Sequence, residues 1–145
     1  MPQYAFVYRS VGAAEGKMLD DLAAVVRENN IDERAANRFT LAVSEAFTNA
    51  LLHGNRRDPT KEIRIEIDVN EREIHADIRD EGRNGLARIA ARRPPAITSE
   101  NGRGIDLITH YAEQVRFDET PSGGLIVSLR FTRSTDKHEI EETSV

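Results

Sequence analysis

The run EIRIEIDV, residues 62–69, puts Ile63, Ile65, Ile67 and Val69 on one side of an extended chain. Glu62, Arg64, Glu66 and Asp68 fall on the other. Successive side chains of a strand point to opposite faces, so a strict period of two demands a half-buried strand. The pattern returns in EIHADIRD, where Ile74, Ala76 and Ile78 alternate with His75, Asp77 and Arg79. It returns again in GLIVSLRF, where Leu125, Val127, Leu129 and Phe131 share a face. Strands that are apolar on one face and charged on the other restrict the architecture sharply: the sheet they build takes helices on one side and water on the other.

The first two runs are joined by a few polar residues around Asn70 and Glu71, which predicts a hairpin. QVRFDE, ahead of Pro121-Ser122-Gly123-Gly124, reads as a further strand entering a turn, and Tyr4 to Arg9 as an edge strand. Two long helices can cover the sheet. One runs from about Ala14 to Glu28 with Met18, Leu22, Val25 and Val26 at helical spacing, stopped by Asn29-Asn30. The other has Asp32 as N-cap and Gly54 as stop, with Phe39, Val43, Ala46, Phe47 and Ala50 on its apolar side. A shorter helix is expected from Gly104 to about Tyr111, and Gly82 to Gly102 is read as a long loop, either functional or disordered. The fold class is therefore an α/β (α+β) two-layer sandwich, its sheet mixed and mostly antiparallel. Residues 1–133 are expected to form one domain, and the charged tail 134–145 to be unordered.

Composition narrows the function classes. The chain of 145 residues has no cysteine, which excludes disulfides, thiol catalysis and cysteine-bound metals. Its net charge of −5 argues against a nucleic-acid partner. The N-terminus has no basic-then-apolar leader and no apolar run approaches a membrane span, so a cytoplasmic location is expected.

Three constellations carry candidate chemistry. Asp80 continues the alternation Ile74, Ala76, Ile78, which puts a carboxylate on the core-facing side of its strand. There it needs donors, and Gly82 beside it permits close backbone approach. The competing reading has the strand already ended, with Asp80 opening a turn. On the second helix, Glu45, Asn49 and His53 recur every four residues and so share one stripe, next to the small apolar Ala42, Ala46 and Ala50. That stripe is either aimed into a site or forms a solvated flank. Gly102 and Gly104, flanking Arg103 before an apolar-periodic helix, either expose N–H groups to an anion or make a flexible helix entry.

Taken together and in this order, VSEAFTNALLHG, IRDEG and GRGIDLI resemble the three boxes of the ATP-binding domain shared by gyrase, Hsp90, histidine kinases and MutL. Within that superfamily the chain is most similar to the small stand-alone anti-sigma factor serine kinases of bacterial partner-switching systems, over nearly its whole length. The resemblance implies a Bergerat-type ATP-binding fold, ATP/ADP as nucleotide and Mg²⁺ as metal. It implies that Asn49 holds Mg²⁺ and that Glu45 orients or deprotonates the attacking hydroxyl. Asp80 would accept from the adenine amine, Gly82 would lie against the base, and Gly102 and Gly104 would face the phosphates. His53, Gly85 and Arg103 complete the implied nucleotide-binding set. The Arg-rich stretch would be the ATP lid, with Arg88, Arg92 and Arg93 read as solvated and phosphate contact as the alternative. One departure stands out: the family's second box reads DxGxG, whereas Asp80-Glu81-Gly82 is followed here by Arg83-Asn84-Gly85.

The expectation is a Mg²⁺/ATP-dependent protein serine kinase and anti-sigma factor, acting as a homodimer. It would phosphorylate a serine of an anti-sigma-antagonist (STAS-domain) protein and sequester a sigma factor or alternative regulator. The alternative is a nucleotide-gated protein-binding module with little or no kinase activity.

Overall fold

A computed structural model describes residues 1–91 and 100–133, and the backbone alone at 100–105. The alternating runs are strands: β1 (Tyr4–Arg9), β2 (Glu62–Val69), β3 (Glu73–Arg79), β4 (Gln114–Glu119) and β5 (Leu125–Thr132). They form one sheet in the order β1-β2-β3-β5-β4, with every pairing antiparallel, so the expectation of a mixed sheet gives way to a wholly antiparallel one among the described residues. The β2–β3 hairpin closes on Asn70, whose side chain accepts from the N–H groups of Arg72 and Glu73, both at 2.8 Å. The register pairs Ile65 with Ile78 and Ile67 with Ala76, which keeps every apolar side chain on one face.

That face is covered by α1 (Ala14–Glu28), α2 (Glu33–Asn49) and α4 (Glu100–Tyr111). Asp32 caps α2 as expected, accepting from Ala35 N–H at 3.0 Å. Two edge-to-face aromatic pairs set how α2 lies on the sheet. Phe39 meets Phe131 of β5 with centroids 5.8 Å apart, and two turns later Phe47 meets Tyr8 of β1 at 5.6 Å. Such pairs add about 0.5–1.5 kcal/mol each beyond burial. They also fix the roll of α2, and so the direction of its polar stripe. Tyr8 is buried, and its hydroxyl donates to Asp21 of α1 at 2.7 Å.

Three features depart from the sequence reading. First, α2 does not run as an α-helix to Gly54. It widens into a π-turn over Ala50–Gly54, closed by Asn55 N–H on the Ala50 carbonyl at 2.7 Å. Second, the expected loop after Gly82 contains a short helix, α3 (Gly85–Ala90). Six residues are too few for periodicity to register, and α3 is held from outside by Gly85 N–H on Gly123 O and Leu86 N–H on Glu119. Third, α4 begins at Glu100, so Gly102, Arg103 and Gly104 lie within its opening turns and not ahead of it. Packing along α2 outweighs the roughly 1 kcal/mol that each glycine costs a helix. Arg92, Arg93 and the tail 134–145 lie outside the described residues. Among those described, no helix is long and apolar enough to cross a membrane.

Candidate functional site

The alternation of β3 persists to its end. Ile74, Ala76 and Ile78 are buried, and Asp80 follows them inward with a side chain only 1% exposed. A buried carboxylate requires donors, and Oδ1 has them: Gly82 N–H at 2.9 Å and Leu125 N–H at 3.0 Å. The guanidinium of Arg88, from α3, stands 3.5 Å from the same oxygen. Both readings of Asp80 hold in part: its side chain faces inward, yet β3 ends at Arg79 and Asp80 opens the turn to Gly82. Two glycines make room for it. A Cβ on Gly54 would overlap the Asp80 carboxylate, and a Cβ on Gly82 would overlap the carbonyl of Gly54. The end of the π-turn and the loop after β3 thus meet backbone to backbone over Asp80.

A residue that periodicity did not single out holds that junction. Asn55 is fully buried, and its side-chain amide donates to Ser10 Oγ at 2.7 Å and to the Glu62 carbonyl at 2.9 Å. Its Oδ1 accepts from Glu81 N–H at 2.7 Å. The end of β1, the start of β2 and the loop after β3 are tied through this one amide. The only hint in the sequence is an asparagine directly after Gly54, where a helix has just ended.

Beside Asp80 opens a cleft of about 290 Å³ walled by His53, Arg56, Lys61, Arg83, Asn84 and Arg88, with Gly54 and Gly82 between them. Among the described residues no carboxylate lines this wall, so on an acidic chain positive charge is concentrated here, as an anionic ligand would require. Arg56, Lys61 and Arg83 had no sequence signal, because the π-turn and the Arg83-Asn84 bend bring them together. Arg56 and Arg57 both carry a left-handed backbone, with φ of 52° and 58°, a conformation that non-glycine residues rarely hold. Asn84 occupies the position of the second glycine of the DxGxG box. Its φ of 54° shows how the departure is absorbed, since asparagine tolerates the left-handed region. Gly85 packs instead against the Leu125 backbone, where a Cβ would stand 2.9 Å from the main chain.

Glu45 and Asn49 share the polar stripe of α2 and are half-buried rather than fully solvated. They lie outside the cleft wall, one and two turns back from its edge, while His53, carried round by the π-turn, lines it. Gly102, Arg103 and Gly104 lie on α4, the helix that packs along α2. Among the described residues no group of three or more His, Asp or Glu gathers as a metal cage.

Residues 12–131 match the histidine kinase-like ATPase domain family. The anti-sigma F factor of Geobacillus stearothermophilus is 30% identical over 114 residues, covering 75% of this chain and 77% of that protein. Those of Oceanobacillus iheyensis and Shouchella clausii are 33% and 31% identical, each over 100 residues, or 66% of this chain and 68% of theirs. A crystal structure of the RsbU and RsbW domains of a Mycobacterium tuberculosis protein superposes with a TM-score of 0.59 at 16% identity. The match covers 92% of this chain and 34% of that longer one.

Proposed function

The chain belongs to the histidine kinase-like ATPase domain family and is related to the anti-sigma F factors, and from that premise we propose an ATP-dependent protein serine kinase of a partner-switching circuit. Its substrate would be a serine on an anti-sigma-antagonist (STAS-domain) protein, and its second partner a sigma factor or alternative regulator, with a homodimer as the working unit. The observation that carries this reading is Asp80, a buried acid beside a cleft walled by cations.

In this reading Asp80 accepts from the exocyclic amine of adenine and Gly82 lets the base lie against the backbone, while Gly54 lets the end of the π-turn close on the carboxylate. The cationic wall and the opening turns of α4 attract the phosphates. Glu45, one helical turn before Asn49, takes the proton of the serine hydroxyl as general base. Asn49 offers a neutral oxygen, which suits Mg²⁺, an ion that takes one or two protein ligands and completes its shell with phosphates and waters. When bound, the ion would neutralise charge on the phosphates. The chain itself positions the nucleotide and the acceptor hydroxyl, which is most of what phosphoryl transfer asks of a protein. ATP and the partners would influence one another by linkage, each changing the affinity for the other.

Incubation with radiolabelled ATP, Mg²⁺ and an anti-sigma-antagonist domain tests the proposal, with label expected on a serine of the antagonist. Nucleotide-dependent binding without label would replace the kinase by a binding module, and free phosphate alone by an ATPase. Glu45→Ala is expected to bind nucleotide as the parent does and to lower transfer by about 10²–10⁴-fold. Equal loss of binding and transfer would remove Glu45 from the role of base.

A further inference from the structure

We propose that Arg88 determines the preference of this site for phosphorylated adenine compounds over the bare nucleoside, by occupying Asp80 until an anion draws it away. The inference rests on the role given to Asp80 above. Arg88 Nη2 lies 3.5 Å from Asp80 Oδ1, and its Nε donates to the Arg83 carbonyl at 2.9 Å, which aims the guanidinium at the acid. The two side chains are 24% and 1% exposed, and Arg88 also lines the cleft, so its guanidinium reaches the buried acid from the cleft wall. The helix that carries Arg88 is itself anchored, through Gly85 and Leu86, to the β4–β5 hairpin and β4.

A ligand group that reaches Asp80 Oδ1 from the cleft competes with this guanidinium. A neutral amine does so at a loss, since it exchanges an ion pair for a single hydrogen bond. What becomes of Arg88 then decides the balance. Among the described residues the wall it would swing into holds Arg56, Lys61 and Arg83 and no carboxylate, so there the freed cation meets like charge. A ligand that brings its own phosphates gives Arg88 a planar, bidentate partner and relieves that repulsion. A nucleoside cannot. Arg88 thereby penalises adenosine and spares ATP.

Calorimetric titration of the whole chain with adenosine, and separately with ATP, tests this on the parent, Arg88→Ala and Arg88→Met. The Met variant retains the apolar stem should the smaller side chain disturb α3. Both variants are expected to bind adenosine on the order of fivefold more tightly, the scale of one partly screened ion pair, and ATP no more tightly. For the parent, adenosine affinity is expected to rise with ionic strength, because salt weakens the pair, and this rise should vanish in the variants. Adenosine affinity that is unchanged or weaker in both variants, with ATP still bound, overturns the role of Arg88 and leaves the nucleotide reading standing. A parent chain that binds neither adenosine nor ATP overturns both.

Discussion

Asn55 shows how much of the site depends on one amide. Its two donated bonds and one accepted bond reach Ser10, Glu62 and Glu81; the bond to Ser10 is fully buried and the other two are partly so. Ser10 is itself fully buried and donates to the Lys61 carbonyl at 2.8 Å. Removing one member of such a set leaves buried groups unsatisfied, each at about 1–3 kcal/mol. Asn55→Ala is therefore expected to lower the unfolding free energy by an amount in that range or above it, read as a lower urea midpoint with the m-value unchanged. A midpoint within error of the parent would show that the junction is held by other contacts. Asp80 differs in kind, because its charge is met by the backbone N–H groups of Gly82 and Leu125 and by the Arg88 guanidinium. Its replacement is accordingly best read through ligand binding, at the scale of the whole chain.

At the scale of elements, the β1–α1 contact is the most exposed to pH. The Tyr8 phenol is pushed well above its usual value, first by burial and then by donation to Asp21. A group whose folded pKa exceeds its unfolded value of about 10 contributes stability that is complete below that pH and lost as pH climbs toward the folded value. Alkaline titration followed at the phenolate band is expected to show Tyr8 ionising only together with unfolding. Tyr8→Phe should flatten the fall in stability above pH ~10. A Tyr8 that titrates normally in folded protein would place its ring in contact with solvent. The same scale explains the π-turn: one extra residue at the end of α2 carries His53 to the cleft and brings Gly54 down onto Asp80. Widened turns of this kind recur at functional sites.

Across the whole molecule, binding and stability are one measurement. A ligand that binds only the folded chain stabilises it by RT ln(1 + [L]/Kd), about 2.7 kcal/mol at a hundredfold excess over Kd. Mg²⁺ and ATP are expected to raise the unfolding midpoint of the parent accordingly. Asp80→Asn should lose most of that rise, since the amide presents a donor where the adenine amine needs an acceptor. An identical rise in the variant would leave Asp80 a purely structural residue. The sheet would transmit such stabilisation widely, because Asp80 is bonded directly to the first residue of β5 and lies under the end of α2.

Local order was legible in the sequence because its physics is local. A period of two named β2, β3 and β5 and their inner faces, helical spacing named the covering faces of α1 and α2, and Asp32 announced a cap that the structure retains. The motifs in their order pointed to the family, and the inward phase of β3 raised the question of Asp80. Its answer required contacts between residues distant in the chain. Asp80 with Leu125, and Asn55 with Ser10, are each 45 residues apart. The cationic wall, the Arg88 pairing and the early start of α4 likewise depend on which surfaces the packed helices bring together. No pattern within a few residues encodes such meetings; they follow from how α2 is rolled on the sheet and where its last turn widens.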